Sequence, residues 1–418
     1  MNTNDILGKK SITIVIVLIL IIIILVIIKI LYDKTSTKSS IKVNNSIKSL
    51  PPTNISTPNI DVSVIKWITS RFSNIDKTIK SVLDEQGVER TNVHNWTIFI
   101  PYTYDNLPKQ INDIPKDYFG KKIFMIDNAD LICRKDTIWS ILVMSFGRDI
   151  TATMLPPSYT LTNLNDLALF EIEFDKSKLY IMKKNLQRQE GLLITNNKDV
   201  ILRGAYNEYV IVQELLQDPY TISGRKINLR FYIILIFSPD GVKAYVYNDG
   251  FMYYTREQFI KGSMDDGPNI TTGYIDRQVY KENPLTHMDF RQYLDNDKRP
   301  LNKYEQYVRK TNQKISDYVF NDAYSLFVKI VNGTKNVIRN PQNPINNPQN
   351  KVTSFQLFGA DVAINDKLKS NLMEINKGPD LDAKDERDKA LKLSVVTDMF
   401  RVLEIIPGEQ KGFIKLTL

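Results

Sequence analysis

The chain has 418 residues, 43% hydrophobic and 24% charged, with a net charge of +8; this is globular composition in a length that accommodates two or three domains. A single cysteine, Cys133, and two histidines, His94 and His287, exclude an internal disulfide, a cysteine cluster and a histidine-rich zinc site, so any metal must be held by oxygen. The first 50 residues carry seven lysines against Asp5 and Asp33, leaving +3 for the remainder; with no arginine-rich stripe or aromatic stacking motif, no nucleic-acid partner is expected.

After a tail of residues 1–10, Ile12 to Ile28 is apolar throughout except for Thr13. Extended over 11–31, this run reaches the ~20 residues needed to span a bilayer. Leu31-Tyr32-Asp33 offers no small-residue cleavage site, which argues against a signal peptide. A single-pass transmembrane helix is expected, and the lysines that follow it favour a cytosolic body. Sequons at Asn54, Asn95, Asn269 and Asn332 would report on that orientation. Residues 32–60 are rich in Ser, Thr, Lys, Asn and Pro and read as a flexible tether reaching roughly 30 Å.

Folded sequence begins near Asp61. "VIKWITSRFSNIDKTIKSVL" (Val64–Leu83) reads as a helix, "WTIFIPY" and "KKIFMID" as strands, and "KDTIWSILVMSF" (Lys135–Phe146) as a helix, giving an N-terminal α/β domain over 61–150. "LYIMKK" and "GLLIT" (Leu179–Thr195) form a strand pair in a central domain over 151–205. "YVIVQELL", "INLRFYIILIF" and "KAYVYND" follow as strands of a C-terminal domain over 206–418. "NPQNPINNPQN" (Asn340–Asn350) reads as the heart of a disordered loop at about 334–352. A last helix covers "DERDKALKLSVVTDMFRVLEII", with Asp382 as its cap.

Three polar patterns stand out on these elements. In "LMEINKGP" (Leu372–Pro379), alternation places Leu372, Glu374 and Asn376 on one face, and Met373 and Ile375 on the other. Upstream, Asp361 interrupts the apolar strand "FGADVAIND", and "NDKLKS" supplies a polar turn. The two strands read as a hairpin with Asp361 opposite Glu374. Three oxygen ligands on one face suit a hard cation such as Mg²⁺; the other reading is a one-sided sheet whose polar face meets solvent. In "GRKINLRFYIILI" (Gly224–Ile236), Lys226, Asn228 and Arg230 share a face while Ile227, Leu229 and Phe231 take the other. Two cations on an interior strand require anions, and a triphosphate with a substrate carboxylate would supply them. Lys183 ends a strand before a loop, where a lysine can hold phosphate. Gln213 and Glu214 end another strand, whose backbone can pair with an adenine edge. A P-loop and a GxSxG elbow are both missing.

From about Ile123 to the C-terminus, the order of these pieces resembles the tubulin–tyrosine-ligase-like family of ATP-grasp amino-acid ligases. "RKDTIW" resembles the family's Arg-Lys-Asp helix start, "MLPPSYTL" its entry to the central domain, and "YIMKKNLQRQEGLLI" its phosphate loop. "VQELLQDPYTISGRKINLRFYIIL" resembles the adenine strand and the Lys-x-Asp-x-Arg strand, and "LFGADVAINDKLKSNLMEINKGP" the metal hairpin. The resemblance implies an ATP-grasp fold and ATP and Mg²⁺ as cofactors. It further implies ligation of an amino acid of the tyrosine, glutamate or glycine class, through an acyl phosphate, to a protein acceptor such as tubulin. Lys183 would meet the α-phosphate, and Gln213, Glu214, Leu215 and Leu216 the adenine. Lys226, Asn228 and Arg230 would be catalytic, with Lys226 also on phosphate, and Asp361, Glu374 and Asn376 would hold the metal. The chain departs from the family pattern in four places. Gln187, Arg188, Gln189 and Glu190 replace a glycine-rich loop, Asn228 replaces an aspartate, Tyr253 replaces an arginine, and "HMDF" (His287–Phe290) lacks a Thr-Asn pair. Those departures keep a second reading open, a membrane-anchored nucleotide-binding scaffold without catalysis.

Overall fold

The computed structural model describes residues 60–70, 73–186, 190–339, 343 and 347–418. The expected membrane helix over 11–31, most of the tether, and Gln187, Arg188 and Gln189 lie outside the described residues. Among those described, no helix is long and apolar enough to cross a membrane.

Four short strands come first: β1 (Lys66–Ile68), β2 (Glu89–Arg90), β3 (Ile98–Phe99) and β4 (Lys122–Ile123). Next come β5 (Ser158–Thr160), β6 (Tyr180–Lys183), β7 (Leu192–Thr195) and β8 (Ile211–Glu214). The C-terminal half holds β9 (Thr221–Ile222), β10 (Arg225–Ser238), β11 (Gly241–Thr255), β12 (Thr271–Thr272), β13 (Thr353–Ile364), β14 (Ser370–Lys377) and β15 (Phe413–Lys415). Among the described residues they build an 11-stranded sheet in the order β12-β11-β10-β13-β4-β3-β1-β2, with β14 on β13, β15 on β11 and β9 on β10. The N-terminal strands pair in parallel and join β13 through β4, while β10 through β14 pair antiparallel. The N-terminal α/β segment therefore continues the C-terminal sheet. A separate 4-stranded sheet runs β5-β8-β6-β7; the boundary expected at 205 cuts it, because β8 lies inside the sheet between β5 and β6.

The long strand β10 explains why the sequence "FYIILIF" is apolar at every position: both faces are covered. Ile227, Leu229 and Phe231 pack against the helix Ile315–Ile338, where the Phe231 ring meets Phe320 and Phe327 at 6.0 and 5.1 Å. Tyr232, Ile234 and Ile236 face the other way, into a cluster with Val395, Val396 and Met399 of the helix Glu386–Val402. Burying each such side chain contributes about 1.5–3 kcal/mol, so β10 anchors the scaffold and leaves its first residues free to carry charge.

Three expectations are corrected. The segment Val64–Leu83 is not one helix. Lys66–Ile68 forms β1, and the helix starts only at Lys77, where the Asp76 carboxylate accepts from the Thr78 and Ile79 amides at 2.9 and 3.1 Å. That cap fixes the start, and Trp67 and Ile68 pair with β3 instead. The last helix is capped by Asp385, which accepts from the Asp388 amide at 2.8 Å, rather than by Asp382. The loop expected at about 334–352 is ordered at both ends. Helix continues to Ile338 with Thr334 buried, and Pro348–Asn350 makes a 3₁₀ turn whose Asn350 carbonyl accepts from Gly120.

Candidate active site

The hairpin β13–β14 places Asp361 opposite Glu374 and Gly359 opposite Asn376, whereas Val362 already faces Leu372. Met373 is the extra residue of a bulge. Strict alternation would join Leu372 to Glu374 and Asn376; the bulge shifts the phase. Leu372 and Ile375 both enter the core beneath the helix Ile315–Ile338, and Asp361, Glu374 and Asn376 share the opposite face. Asn376 Nδ2 donates to Glu374 Oε1 at 3.0 Å, which turns the amide carbonyl of Asn376 outward as an acceptor.

The neighbouring strand β10 sets Arg230 opposite Asp361. Arg230 donates from Nε to Oδ1 at 2.5 Å and from Nη2 to Oδ2 at 2.9 Å, and both side chains are about nine-tenths buried. Such a fork is among the stronger pairings in proteins. The anion expected opposite Arg230 is thus supplied, at least in part, by the chain itself. The Tyr253 ring lies 5.0 Å from the guanidinium, on the β11 side.

Lys226 and Asn228 share this face and are buried, as the i, i+2, i+4 spacing predicts. Asn228 Oδ1 is buried with no hydrogen-bond partner among the described residues. Lys183, at the end of β6, donates to Gln213 Oε1 at 2.7 Å. Neither Lys183 nor Lys226 forms an ion pair among the described residues. Burial pushes each of them down to about 8, helped for Lys183 by Lys135 and for Lys226 by Lys183. Burial likewise pushes Asp361 up to about 6, against the pull of Arg230 and with the push of Glu374. Burial acts on Glu374 too, but the Asn376 amide and the cations Lys135, Arg230 and Lys183 outweigh it and hold the group below its ordinary value. Glu374 is therefore the more readily ionised of the two, and Asp361 keeps its charge at neutral pH with Arg230 as its counter-ion.

A cleft between the two sheets is lined by Cys133, Lys135, Lys183, Gln213, Met373 and Glu374. Of the residues expected at the base, Gln213 lines this cleft, yet its amide is committed to Lys183 and, through Nε2, to Ser158 Oγ at 3.0 Å. Glu214 pairs with Lys178 at 2.5 Å, Leu215 is buried with Leu179, Ile181 and Ile194, and Leu216 is half-buried. His287 is wedged between Phe231 and Phe320 at 4.4 and 5.4 Å. Lys135 is the site residue that periodicity does not find. Its Nζ donates to the Leu186 carbonyl at 2.9 Å, and its amide to Asn185 Oδ1, so a helix start 50 residues upstream clasps the loop after β6. The "RKD" triplet was its only signal.

These groups fit a magnesium–polyphosphate. Two carboxylates and an amide provide hard oxygen donors, and buried ammonium groups without carboxylate partners suit phosphate. Among the described residues no three His, Cys, Asp or Glu side chains are grouped so as to hold a metal ion; on this face the two carboxylates are accompanied by the Asn376 amide.

A small four-stranded sheet beside a large mixed sheet, with a buried lysine on each and an acid–acid–amide hairpin in the large one, fits an ATP-grasp-like fold. The model of the Tubulin-tyrosine ligase family matches residues 112–412, and the chain belongs to that family. Similar curated proteins include the mouse (Mus musculus) "Probable tubulin polyglutamylase TTLL9", 28% identical over 49% of this chain and 41% of that protein. The human (Homo sapiens) "Tubulin polyglutamylase TTLL6" is 24% identical over 83% of this chain and 38% of its own length. The human "Tubulin polyglutamylase TTLL7" is 23% identical over 80% and 38%. The chain thus spans about two fifths of the length of the relatives it matches.

Proposed function

We propose that the chain is an ATP- and Mg²⁺-dependent ligase that adds an amino acid to a protein acceptor, with glutamate on tubulin as the first pair to test, since its relatives are named tubulin polyglutamylases. The observation that carries this reading is the convergence of Asp361, Glu374 and Asn376 on the face where Lys226, Asn228 and Arg230 emerge from β10. Bound ATP supplies the phosphoryl group that activates a carboxylate. The residues of this chain bind, orient and neutralise: Lys183 and Lys226 hold phosphate oxygens, and Glu374, Asn376 and Asp361 hold the cation. Arg230, fixed by Asp361, presents the remaining guanidinium edge to the activated carboxyl. Asn228 Oδ1 accepts from the incoming amine. Charge placed in advance in a buried site accelerates transfer without a protein nucleophile, so the scarcity of histidine is no obstacle. Residues 11–31 would anchor the body to a membrane, on its cytosolic side.

The scaffold reading is favoured by one feature: both Asp361 oxygens accept from Arg230, which leaves that carboxylate less available to a metal. Incubation of the protein with ATP, Mg²⁺, tubulin and each amino acid in turn, read as a mass increment on the acceptor, decides between them. Turnover of ATP that depends on an amino acid supports the ligase. Binding of ATP with no increment for any amino acid supports the scaffold.

A further inference from the structure

Strands β5, β8 and β6 lie side by side, and their register brings Ser158 opposite Gln213 and Gln213 opposite Ile181, two residues before Lys183. One chain of hydrogen bonds crosses all three strands. Ser158 Oγ donates to the Pro156 carbonyl at 2.8 Å, Gln213 Nε2 donates to Ser158 Oγ at 3.0 Å and toward the Pro156 carbonyl at 3.4 Å, and Lys183 Nζ donates to Gln213 Oε1 at 2.7 Å. Ser158, Gln213 and Lys183 are all buried, Ser158 completely.

The direction of this chain is determined at its far end. The Pro156 carbonyl can only accept, so the Ser158 hydroxyl must point its proton there and keep a lone pair for Gln213. That lone pair and the same carbonyl draw in the Gln213 NH₂, which turns Oε1 toward Lys183. A flipped amide would set its NH₂ against an ammonium and its oxygen against a carbonyl, two repulsive contacts at a buried position. One of the three ammonium protons of Lys183 is thereby pinned, which leaves the other two for the cleft that Lys183, Glu374 and Lys135 line. We propose that Ser158 and Gln213 are positioning residues that hold the Lys183 ammonium in the orientation in which it receives a nucleotide phosphate. The proposal rests on the nucleotide reading of the cleft and deepens it: a serine in the small sheet, with no exposed surface, sets nucleotide affinity through another residue.

Because Lys183 would grip the same phosphate before and during transfer, loss of its orientation weakens binding without slowing the transfer step. Loss of one hydrogen bond in a relay to a charged group corresponds to about a tenfold effect. Ser158→Ala should therefore raise the Kd for Mg·ATP, measured by calorimetry on the full chain, about tenfold. The ligand-free melting temperature should stay within about 2 °C, and any turnover number should be unchanged. Ser158→Thr, which restores the hydroxyl, should recover the affinity. A Kd in Ser158→Ala equal to wild type, or a loss not rescued by threonine, overturns the relay.

A second measurement stands apart from ATP. Acetylation of Lys183 by acetic anhydride, followed by peptide mass spectrometry without nucleotide, should run at least threefold faster in Ser158→Ala and in Gln213→Met, because the amine loses its fixed acceptor. Failure of wild type to bind Mg·ATP sinks the nucleotide reading; unchanged labelling sinks the relay itself, whichever way the first result falls. Should Ser158→Ala fail to fold, the labelling rate in Gln213→Met settles whether the relay exists, since a methionine side chain of matching length keeps the packing of β8.

Discussion

Replacing Arg230 with alanine removes one half of a buried pair and leaves Asp361 with its carboxylate facing β10 and no counter-ion there. Breaking a pair of this kind from one side costs about 3–5 kcal/mol, because the surviving charge stays buried. In a body of this size a loss of ~1 kcal/mol lowers the melting temperature by about 2 °C, so Arg230→Ala should melt roughly 6–10 °C below wild type without ligand. Asp361→Asn in the same background discharges the orphan, and the double variant should recover at least half of the loss. Circular dichroism melts of wild type, both single variants and the double variant close the cycle. A wholly catalytic Arg230, held in place only by Ile227, Leu229 and Phe231 on the opposite face, predicts an unchanged melting temperature. A shift under 2 °C for Arg230→Ala, or a double variant less stable than both singles, refutes the structural half of the argument.

Glu374→Gln keeps the strand and removes one metal ligand: the stabilisation by Mg²⁺ and ATP, ~2.7 kcal/mol at a hundredfold excess over Kd, should disappear in a thermal-shift assay, and an undiminished shift would move the metal elsewhere. Lys183 and Lys226, held at about 8 against an ordinary 10.5, bind fewer protons folded than unfolded between those values. Stability of the ligand-free protein should consequently rise as pH climbs from about 8 toward 10.5, and nucleotide affinity should fall over the same interval as the ammonium groups discharge; urea melts and calorimetry at pH 7, 8 and 9 check both signs. Of the sequons in the described residues, Asn269 is buried and Asn332 lies half-buried in a helix, whereas Asn95 is exposed. Asn95 is therefore the reporter of sidedness: a cytosolic body leaves it bare when the full chain is made in the presence of microsomes, and a glycosidase-sensitive gel shift reverses the topology.

The candidate site's geometry was readable in sequence where chemistry and periodicity coincide. Lys226, Asn228 and Arg230 share a face because β10 is regular over those residues, and Asp361 meets Glu374 because "NDKLKS" closes the hairpin in the expected register. Periodicity failed at Met373. A bulge there carries no glycine or proline to mark it, and only the packing of Leu372 and Ile375 against one helix reveals the change of phase. It failed again at Trp67, since a three-residue strand embedded in an amphipathic stretch looks like the helix that follows it; partner strands decide the matter, and they lie 20 to 30 residues away. Lys135 and the orientation of the Gln213 amide depend on contacts between segments distant in sequence, which no local pattern encodes.

The sheet passes from β13 into β4, β3 and β1 without a break, and this bears on how the protein can be cut. The family match begins at residue 112, between β3 and β4, so a truncation drawn from homology alone would remove β1, β2 and β3 and keep β4. Ile123 and Phe124, both fully buried, would then border a raw strand edge, and the stack of Phe124 on Phe355 at 4.6 Å would lose its cover from Ile98 and Ile100. Exposed apolar edges recruit other chains. An expression boundary placed at residue 60 keeps the edge closed; one placed at 112 produces a sticky fragment whose insolubility would be mistaken for a property of the protein.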